Sequence, residues 1–515
     1  MAAQRSICNM CWPCINRAES ESQQTVVPSL ECERLVPTGG LTQPLASSGG
    51  DDPQSQVQIT MDSLVPMKEI MIELDAIHEE TFNERLPKSF TKAVEKMLNY
   101  AQGSEKASEK FHEVSSNMKE NKKVRIVSAE VPHNILPSAI LHDIKVNGHG
   151  ADDEMYNKHA ELRKMIPRGA TIMEFNNTKD VVIYANKKFV GGVGDEDEVQ
   201  PENNDIWKQY CLEDPDTATK VICMEKLNGE AAHFSVRYIE GLFCLITGSK
   251  NVHMLIRKIE DIEQYSGERF TVAKVMARAV WNKLYELESR HRHLLFSLMH
   301  HTKCTAVCEI FQPDHQHIIK LKDDLKQPQL NVISFTPVYS ENEESSLLAL
   351  PPHHTLNLLS ALGFATPSYS VIATEDVINH QNKVRGELHK EGEVLYFLNK
   401  AEETIGIAKS KTFWYIMIRA LREKAAYCFI TRKKRHSWNL EDNILKTQKR
   451  LEELQPWLKF SDSYLKSWKE LGEAFLKWLN EELQGNEEAE SIRPRFPIIW
   501  EKFLLKTGLT DEINS

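Results

Sequence analysis

Apolar residues recur at three- to five-residue steps through Ile70, Leu74, Ile77 and Phe82, and Pro87 interrupts the run. This spacing predicts helix across residues 61–120. A second helix is expected over 156–166, stopped by Pro167. The character then changes. Short β-branched runs at 181–184, 220–224, 234–238, 242–247, 252–256, 305–310, 331–335, 394–398 and 404–408 have strand length, often with Gly or Asn between them. One helical segment, 272–299, interrupts this series, with Val275, Ala279 and Leu287 on a buried stripe. From Thr412 onward the pattern is helical to the end. Ser463 precedes Leu465, Trp468, Leu471, Phe475, Trp478 and Leu479 at helical spacing, which reads as a core-packing face. No internal repeat is visible. The expected fold class is α+β: a domain of antiparallel sheets followed by an all-helical C-terminal domain.

Composition refines this picture at the start of the chain. Residues 1–60 are rich in Ser, Gln, Gly and Pro, with little apolar periodicity, and are expected to be a disordered tail. The expected organisation is therefore a tail (1–60), a helical segment (61–125), a sheet-based domain (126–430) and a helical domain (431–515). Cys8, Cys11 and Cys14 in the tail admit three readings: a metal cluster without a nearby fourth ligand, lipid anchoring by palmitoylation, or an unmodified tail. Ten cysteines without regular spacing suggest reduced thiols in an intracellular, cytoplasmic protein. No apolar run approaches the ~18 residues of a membrane span. The net charge of −11 excludes a uniformly basic surface but not a local basic groove for nucleic acid.

Candidate chemistry begins at Glu225-Lys226-Leu227-Asn228-Gly229-Glu230, between two predicted strands. A lysine on a tight turn between rigid elements is well placed as a nucleophile, and Gly229 permits a backbone conformation other residues resist. Alone, Lys-x-x-Gly is a weak signal. Further along come the polar turn Ser249-Lys250-Asn251, Glu309 within an apolar strand, and an acidic turn at Glu391. Lys409 and Lys411, two residues apart on a strand, point the same way. A buried carboxylate such as Glu309 needs a partner or a ligand. Attack on the α-phosphorus of ATP needs a neutral amine, and the two downstream lysines would lower its pKa and neutralise phosphate charge.

This ordered set resembles motifs I, Ia, III, IV and V of the covalent nucleotidyltransferases, which include DNA ligases, RNA ligases and mRNA capping enzymes. The spelling is most similar to the ligase domain of fungal tRNA ligase and to phage RNA ligase 1. Lys226–Gly229 matches their Lys-x-Asn-Gly, and Ser249-Lys250 their Ser-Lys turn; EIFQPDHQHII and KSKTFWYIMIRALREK stand in for the third and fifth motifs. Arg168-Gly169 and Lys187-Lys188-Phe189 resemble elements upstream of the nucleophile, so the likeness spans about 168–424.

The resemblance implies an ATP-grasp-like ligase fold and roles for individual residues. Lys226 would carry AMP within a turn completed by Asn228 and Gly229. Glu225 would help read adenine, and Lys250 would contact phosphate or nucleotide. Glu309 and Glu391 would position ribose, lysine and a Mg²⁺ or Mn²⁺ ion. Lys409 and Lys411 would grip the α-phosphate; Arg168 and Lys188 would reach the outgoing pyrophosphate. Phe335 is a candidate for stacking on adenine, with core packing as its other reading. The implied activity is ATP-dependent sealing of a 5′-phosphate RNA end to a 3′ end, by a monomer. The alternatives are a capping-type guanylyltransferase, disfavoured by the helical C-terminus, and a non-catalytic RNA-binding protein on a ligase fold.

Three other signals compete. His300, His301, Cys304, Cys308, His315 and His317 suggest zinc, but they straddle a helix end and a strand, which argues against convergence. Residues 191–194 read as a hairpin turn rather than a phosphate loop. The basic run 432–435 could face RNA, serve as a nuclear signal, or be a solvated helix end.

Overall fold

The computed structural model describes residues 63–147, 152–192, 194–195, 203–340, 344–432, 438–482 and 490–514. The tail 1–60 with Cys8, Cys11 and Cys14, and most of the basic run 432–435, lie outside the described residues.

The chain opens with three helices, α1 (Met67–Phe82), α2 (Lys88–Gln102) and α3 (Ser104–Glu120). Most of the periodic apolar residues are buried: Ile70, Leu74 and Ile77 on α1 join Phe90, Val94 and Met97 on α2, whereas Phe82, at the end of α1, is exposed. A first antiparallel sheet follows, β1 (Val124–Glu130), β2 (Ile140–Val146), β3 (Ala170–Phe175) and β4 (Thr178–Tyr184), in that spatial order. The apolar runs point to only the last of these strands. On β2 the polar residue breaking the pattern, Asp143, is buried because Thr171 Oγ1 donates to it at 2.7 Å and Arg269 at 2.6 Å. Between β2 and β3, the helix expected over 156–166 is two short ones, α4 (Asp153–Lys158) and α5 (Ala160–Met165), parted at His159.

The second sheet has five strands in the order β10-β9-β6-β7-β8. These are β6 (Glu230–Ile239), β7 (Leu242–Ser249), β8 (Val252–Ile256), β9 (Thr305–Phe311) and β10 (Gln329–Thr336). One face is covered by α1, α2, α6 (Thr271–Glu286), α7 (Ser289–Thr302) and α8 (Pro352–Ala361), which together form the main hydrophobic core. The expected single helix over 272–299 is α6 and α7. Leu287, at φ −66° and ψ 151°, leaves the helix to bury its side chain in that core. No Gly or Pro marks the break in the sequence.

The third sheet is β11 (Tyr369–Ile372), β5 (Lys220–Glu225), β12 (Gly392–Leu398) and β13 (Thr404–Lys411), again antiparallel, with α9 (Val377–Arg385) beside it. Ile222, Met224, Val394 and Ile407 on its inner face meet Ile333 of β10. The second and third sheets thus pack through one apolar layer, and the chain between β5 and β6 crosses from one to the other. The C-terminal helices α10 (Phe413–Ile430), α11 (Leu440–Leu458), α12 (Asp462–Glu482) and α13 (Phe496–Thr507) share a core centred on Trp468 and Phe475. Since α10 packs in that core, the hydrophobic seam falls at Thr412 rather than at 430. No helix among the described residues is long and apolar enough to cross a membrane.

Candidate active site

The crossing between the two sheets is the tetrapeptide Lys226–Gly229, held by contacts from several elements. Glu225 closes β5 opposite Glu393 of β12. The next amide, Lys226 N–H, donates to the carbonyl of Gly392 at 3.2 Å. By strand alternation Lys226 faces inward with Met224, while Glu225 faces the other side. Lys226 is sequestered from solvent, and its Nζ lies 2.9 Å from Glu391 Oε1, with both side chains 0 % exposed. Burying a charge is tolerable here because an opposite charge is buried against it.

Asn228 saturates its amide. Its Nδ2 donates to Glu391 Oε2 at 2.6 Å and to the Tyr415 hydroxyl at 3.2 Å. Its Oδ1 accepts from the backbone N–H groups of Ile318 and Ile319 at 2.8 and 3.0 Å. A flipped amide would set NH₂ against two N–H donors, so the network itself fixes the orientation. Glu391 is therefore gripped by Lys226 and Asn228 at once. Its backbone carbonyl accepts from Thr412 N–H at 2.9 Å, and Thr412 Oγ1 caps α10 by accepting from Tyr415 N–H at 3.0 Å.

Gly229 N–H donates to Glu309 Oε1 at 2.9 Å. The glycine is needed here for space rather than for unusual backbone angles. It is absent from the positive-φ residues, and a Cβ on it would lie 2.5 Å from the Ile310 carbonyl oxygen. Glu309 is thus a buried carboxylate on β9 turned toward the Lys226–Gly229 turn.

Lys409 and Lys411 lie on β13 with their side chains almost fully buried. Their backbone is braced by residues the sequence did not single out. Asp195 accepts from Lys411 N–H at 2.7 Å and takes a bidentate pair from Arg385 at 2.6 and 2.7 Å. Arg385 also donates to the Lys411 carbonyl at 2.6 Å. Gly191, expected in a hairpin turn, instead bridges to Lys409. Asp195 opens an acidic run that reads as solvated loop, and nothing in the sequence marks Arg385. The Lys411 ammonium lies 5.7 Å from the Tyr415 ring centroid.

The upstream cations meet at an acidic pair. Arg168 donates to Asp152 at 3.2 Å, Lys250 lies 3.5 Å from it, and Lys188 pairs with Asp153. Burial opposes the charge on Asp152, but Arg168, Lys250 and Lys188 overcome it and hold the carboxyl far below its usual range. Burial likewise opposes the charge on Asp153, but Lys188, Lys409 and Arg168 lower its carboxyl, so this network reaches Lys409 on β13. Lys250 is pushed down to about 8 by burial and the neighbouring Arg168, against the pull of Asp152.

Two expected contributors lie elsewhere. Glu225 accepts from Ser368 Oγ at 2.5 Å on the outer side of the third sheet, and burial pushes its carboxyl up to about 7. Phe335 is buried in the main core, opposite Ala306 of β9, on the face away from Glu309. The histidines and cysteines whose convergence on zinc the sequence argues against do not converge as a whole. His300 accepts from Tyr238 N–H, His301 meets the Val65 carbonyl, and Cys304 and Cys308 are core residues.

Lys226, Glu391, Asn228, Glu309, Lys409 and Lys411 thus come from two sheets and the loops around them, with Arg168, Lys188 and Lys250 alongside. This donor set fits a nucleoside triphosphate: cations for phosphates, and carboxylates of the kind that hold Mg²⁺ through water. No family model and no curated protein matches the sequence. Among solved structures the chain is similar to an archaeal ATP-dependent RNA ligase, form 1, at 12 % identity and a TM-score of 0.36, over 76 % of this chain and 80 % of that one. It is also similar to form 2 of an archaeal ATP-dependent RNA ligase, at 13 % identity and a TM-score of 0.33, over 66 % of this chain and 71 % of that one.

Proposed function

We propose that the protein is an ATP-dependent RNA ligase of the covalent nucleotidyltransferase type, with an ATP-grasp-like ligase architecture, that works through a lysyl-AMP intermediate on Lys226. The observation that carries this reading is the buried Lys226–Glu391 pair, 2.9 Å apart at the crossing between two sheets, with Lys409 and Lys411 on the adjoining strand.

In the first step the Lys226 amine forms a bond to the α-phosphorus of ATP, and pyrophosphate leaves with the electrons of the broken P–O bond. Glu391, whose Oε1 lies 2.9 Å from the Lys226 Nζ, takes the proton that Lys226 gives up before attack. Lys409 and Lys411 neutralise charge on the α-phosphate, and Arg168, Lys188 and Lys250 receive the pyrophosphate. Glu309 holds the turn through Gly229, so the nucleophile does not drift. Glu309 and Glu391 would hold the Mg²⁺ or Mn²⁺ ion, which supplies charge neutralisation on the phosphates. An oxygen of the 5′-phosphate of an RNA end then attacks the adenylyl phosphorus, the P–N bond breaks, and the Lys226 amine leaves and regains a proton. The 3′-hydroxyl of a second end attacks that phosphate and AMP leaves.

The end chemistry is tested by presenting RNA with 5′-phosphate or 5′-hydroxyl termini, opposite 3′-hydroxyl ends with or without a 2′-phosphate. Joining is expected only with a 5′-phosphate. Efficient joining of 5′-hydroxyl RNA would defeat the assignment.

A further inference from the structure

Three clusters among the described residues bring donor atoms from His, Cys or carboxylate side chains within 4.8 Å of one another: Cys223–His380–Glu393, His353–His354–Glu402 and Glu230–His315–His317. Only the last is arranged to receive a metal ion. In the second, Lys220 and Ser89 already hydrogen-bond the Glu402 carboxylate, so a cation occupies the place of an ion. In the first, the Cys223 thiol is wholly buried in the third sheet and burial pushes its ionisation far up, which disfavours the thiolate a metal ion needs.

Glu230 differs. No lysine or arginine among the described residues pairs with it; its partner is the His315 Nδ1. His317 lies nearby, with ring centroids 5.4 Å from His315 and the planes at 86°. The three side chains come from two rigid supports. Glu230 opens β6 and pairs with Ile310 of β9. The loop carrying the histidines is anchored through other groups. His315 N–H donates to the Gln312 carbonyl at 3.2 Å and Gln316 N–H to the Pro494 carbonyl at 2.7 Å. The Gln316 side chain accepts from Leu321 N–H at 2.9 Å and donates to Pro313 at 3.1 Å. Asn228 holds Ile318 and Ile319 just beyond. The loop is thus fixed by its backbone and by the Gln316 side chain, and donor atoms of the two histidines at i and i+2 converge on the carboxylate.

We propose that Glu230, His315 and His317 bind one first-row divalent metal ion, of which Zn²⁺ is the type, at the rim of the Lys226 turn. Two imidazoles and one carboxylate are borderline donors that suit such ions, whereas Mg²⁺ takes oxygen ligands. Three protein ligands leave one coordination position for water or an outside oxygen. The site is separate from the carboxylates assigned to nucleotidyl transfer and does not depend on that chemistry.

The test is Co²⁺ titration of the chelator-treated full-length protein, read by visible absorption, followed by Zn²⁺ displacement in excess Mg²⁺. The expected result is one site with a d–d band and no thiolate charge-transfer band, displaced by Zn²⁺ but not by Mg²⁺. Lys226→Ala should keep this site. Glu230→Gln and His317→Ala should each weaken it about tenfold or more, at unchanged melting temperature in chelator. A wild-type spectrum showing only thiolate ligation, or none, would overturn the proposal, as would equal affinity in the folded variants.

Discussion

Lys226 and Glu225 are neighbours in the chain, yet they belong to opposite faces of a strand and carry different consequences. Lys226 is buried against Glu391. Glu225 sits across the third sheet, where burial raises its carboxyl to about 7. A carboxyl whose folded pKa lies above its unfolded value favours the folded state at low pH, and that contribution is lost as pH rises from about 4.5 through about 7. Glu225→Gln should therefore stabilise the protein at pH 8 by on the order of 2–3 kcal/mol and have little effect near pH 4.5, read from denaturant midpoints at the two pH values. An equal effect at both would show that the carboxyl titrates normally. The Lys226 turn is legible as a candidate site because its residue types and their order are chemically demanding. The placement of Glu225 was legible only through alternation, which holds once the strand's end is known. Phe335 was ambiguous for a similar reason: an aromatic residue in an apolar strand looks the same from either face.

Elements decide which of these side chains meet. Gly229 lets β6 pass against β9, and Glu309 binds the turn at that contact. Gly229→Ala would press a Cβ to 2.5 Å from the Ile310 carbonyl. The expected cost is about 1–3 kcal/mol of stability, with AMP transfer falling further than the folded fraction because Glu309 loses its hold. Loss of activity in strict proportion to unfolding would remove Glu309 from the turn's positioning. The short helix α4 makes a second case. Its Asp153, with Asp152 before it, occupies the cations that the outgoing phosphates would need. Asp153→Asn should lower the ATP concentration for half-maximal lysyl-AMP formation about tenfold, equivalent to 1.4 kcal/mol. A rise instead would mean that the carboxylate assists nucleotide binding. Neither Asp153 nor the brace of Asp195 and Arg385 was recognisable in advance, because nothing local in the chain says which distant cation an acid will meet. The break between α6 and α7 was hidden likewise: it follows from burial of Leu287, a tertiary demand with no Gly or Pro to announce it.

At the scale of the molecule, the site exists because two sheets are joined face to face and one tetrapeptide crosses between them. The alternation of apolar runs foretold the sheets and the helical C-terminus, but not which strands would be partners. The helical core is coupled to the site through α10, whose first turn delivers Tyr415 to Asn228 while its length packs against α11 and α12. Negative net charge and a gathered cationic site coexist because Lys188, Lys409 and Lys411 are buried, with Arg168 and Lys250 half-buried beside them, rather than spread over the surface. Incubation of wild type and Lys226→Ala with α-labelled ATP or GTP and Mg²⁺, followed by denaturing electrophoresis, tests the central claim most directly. Label from ATP on wild type alone is the predicted result. Label on Lys226→Ala, label from GTP, or no label on well-folded wild type would contradict it.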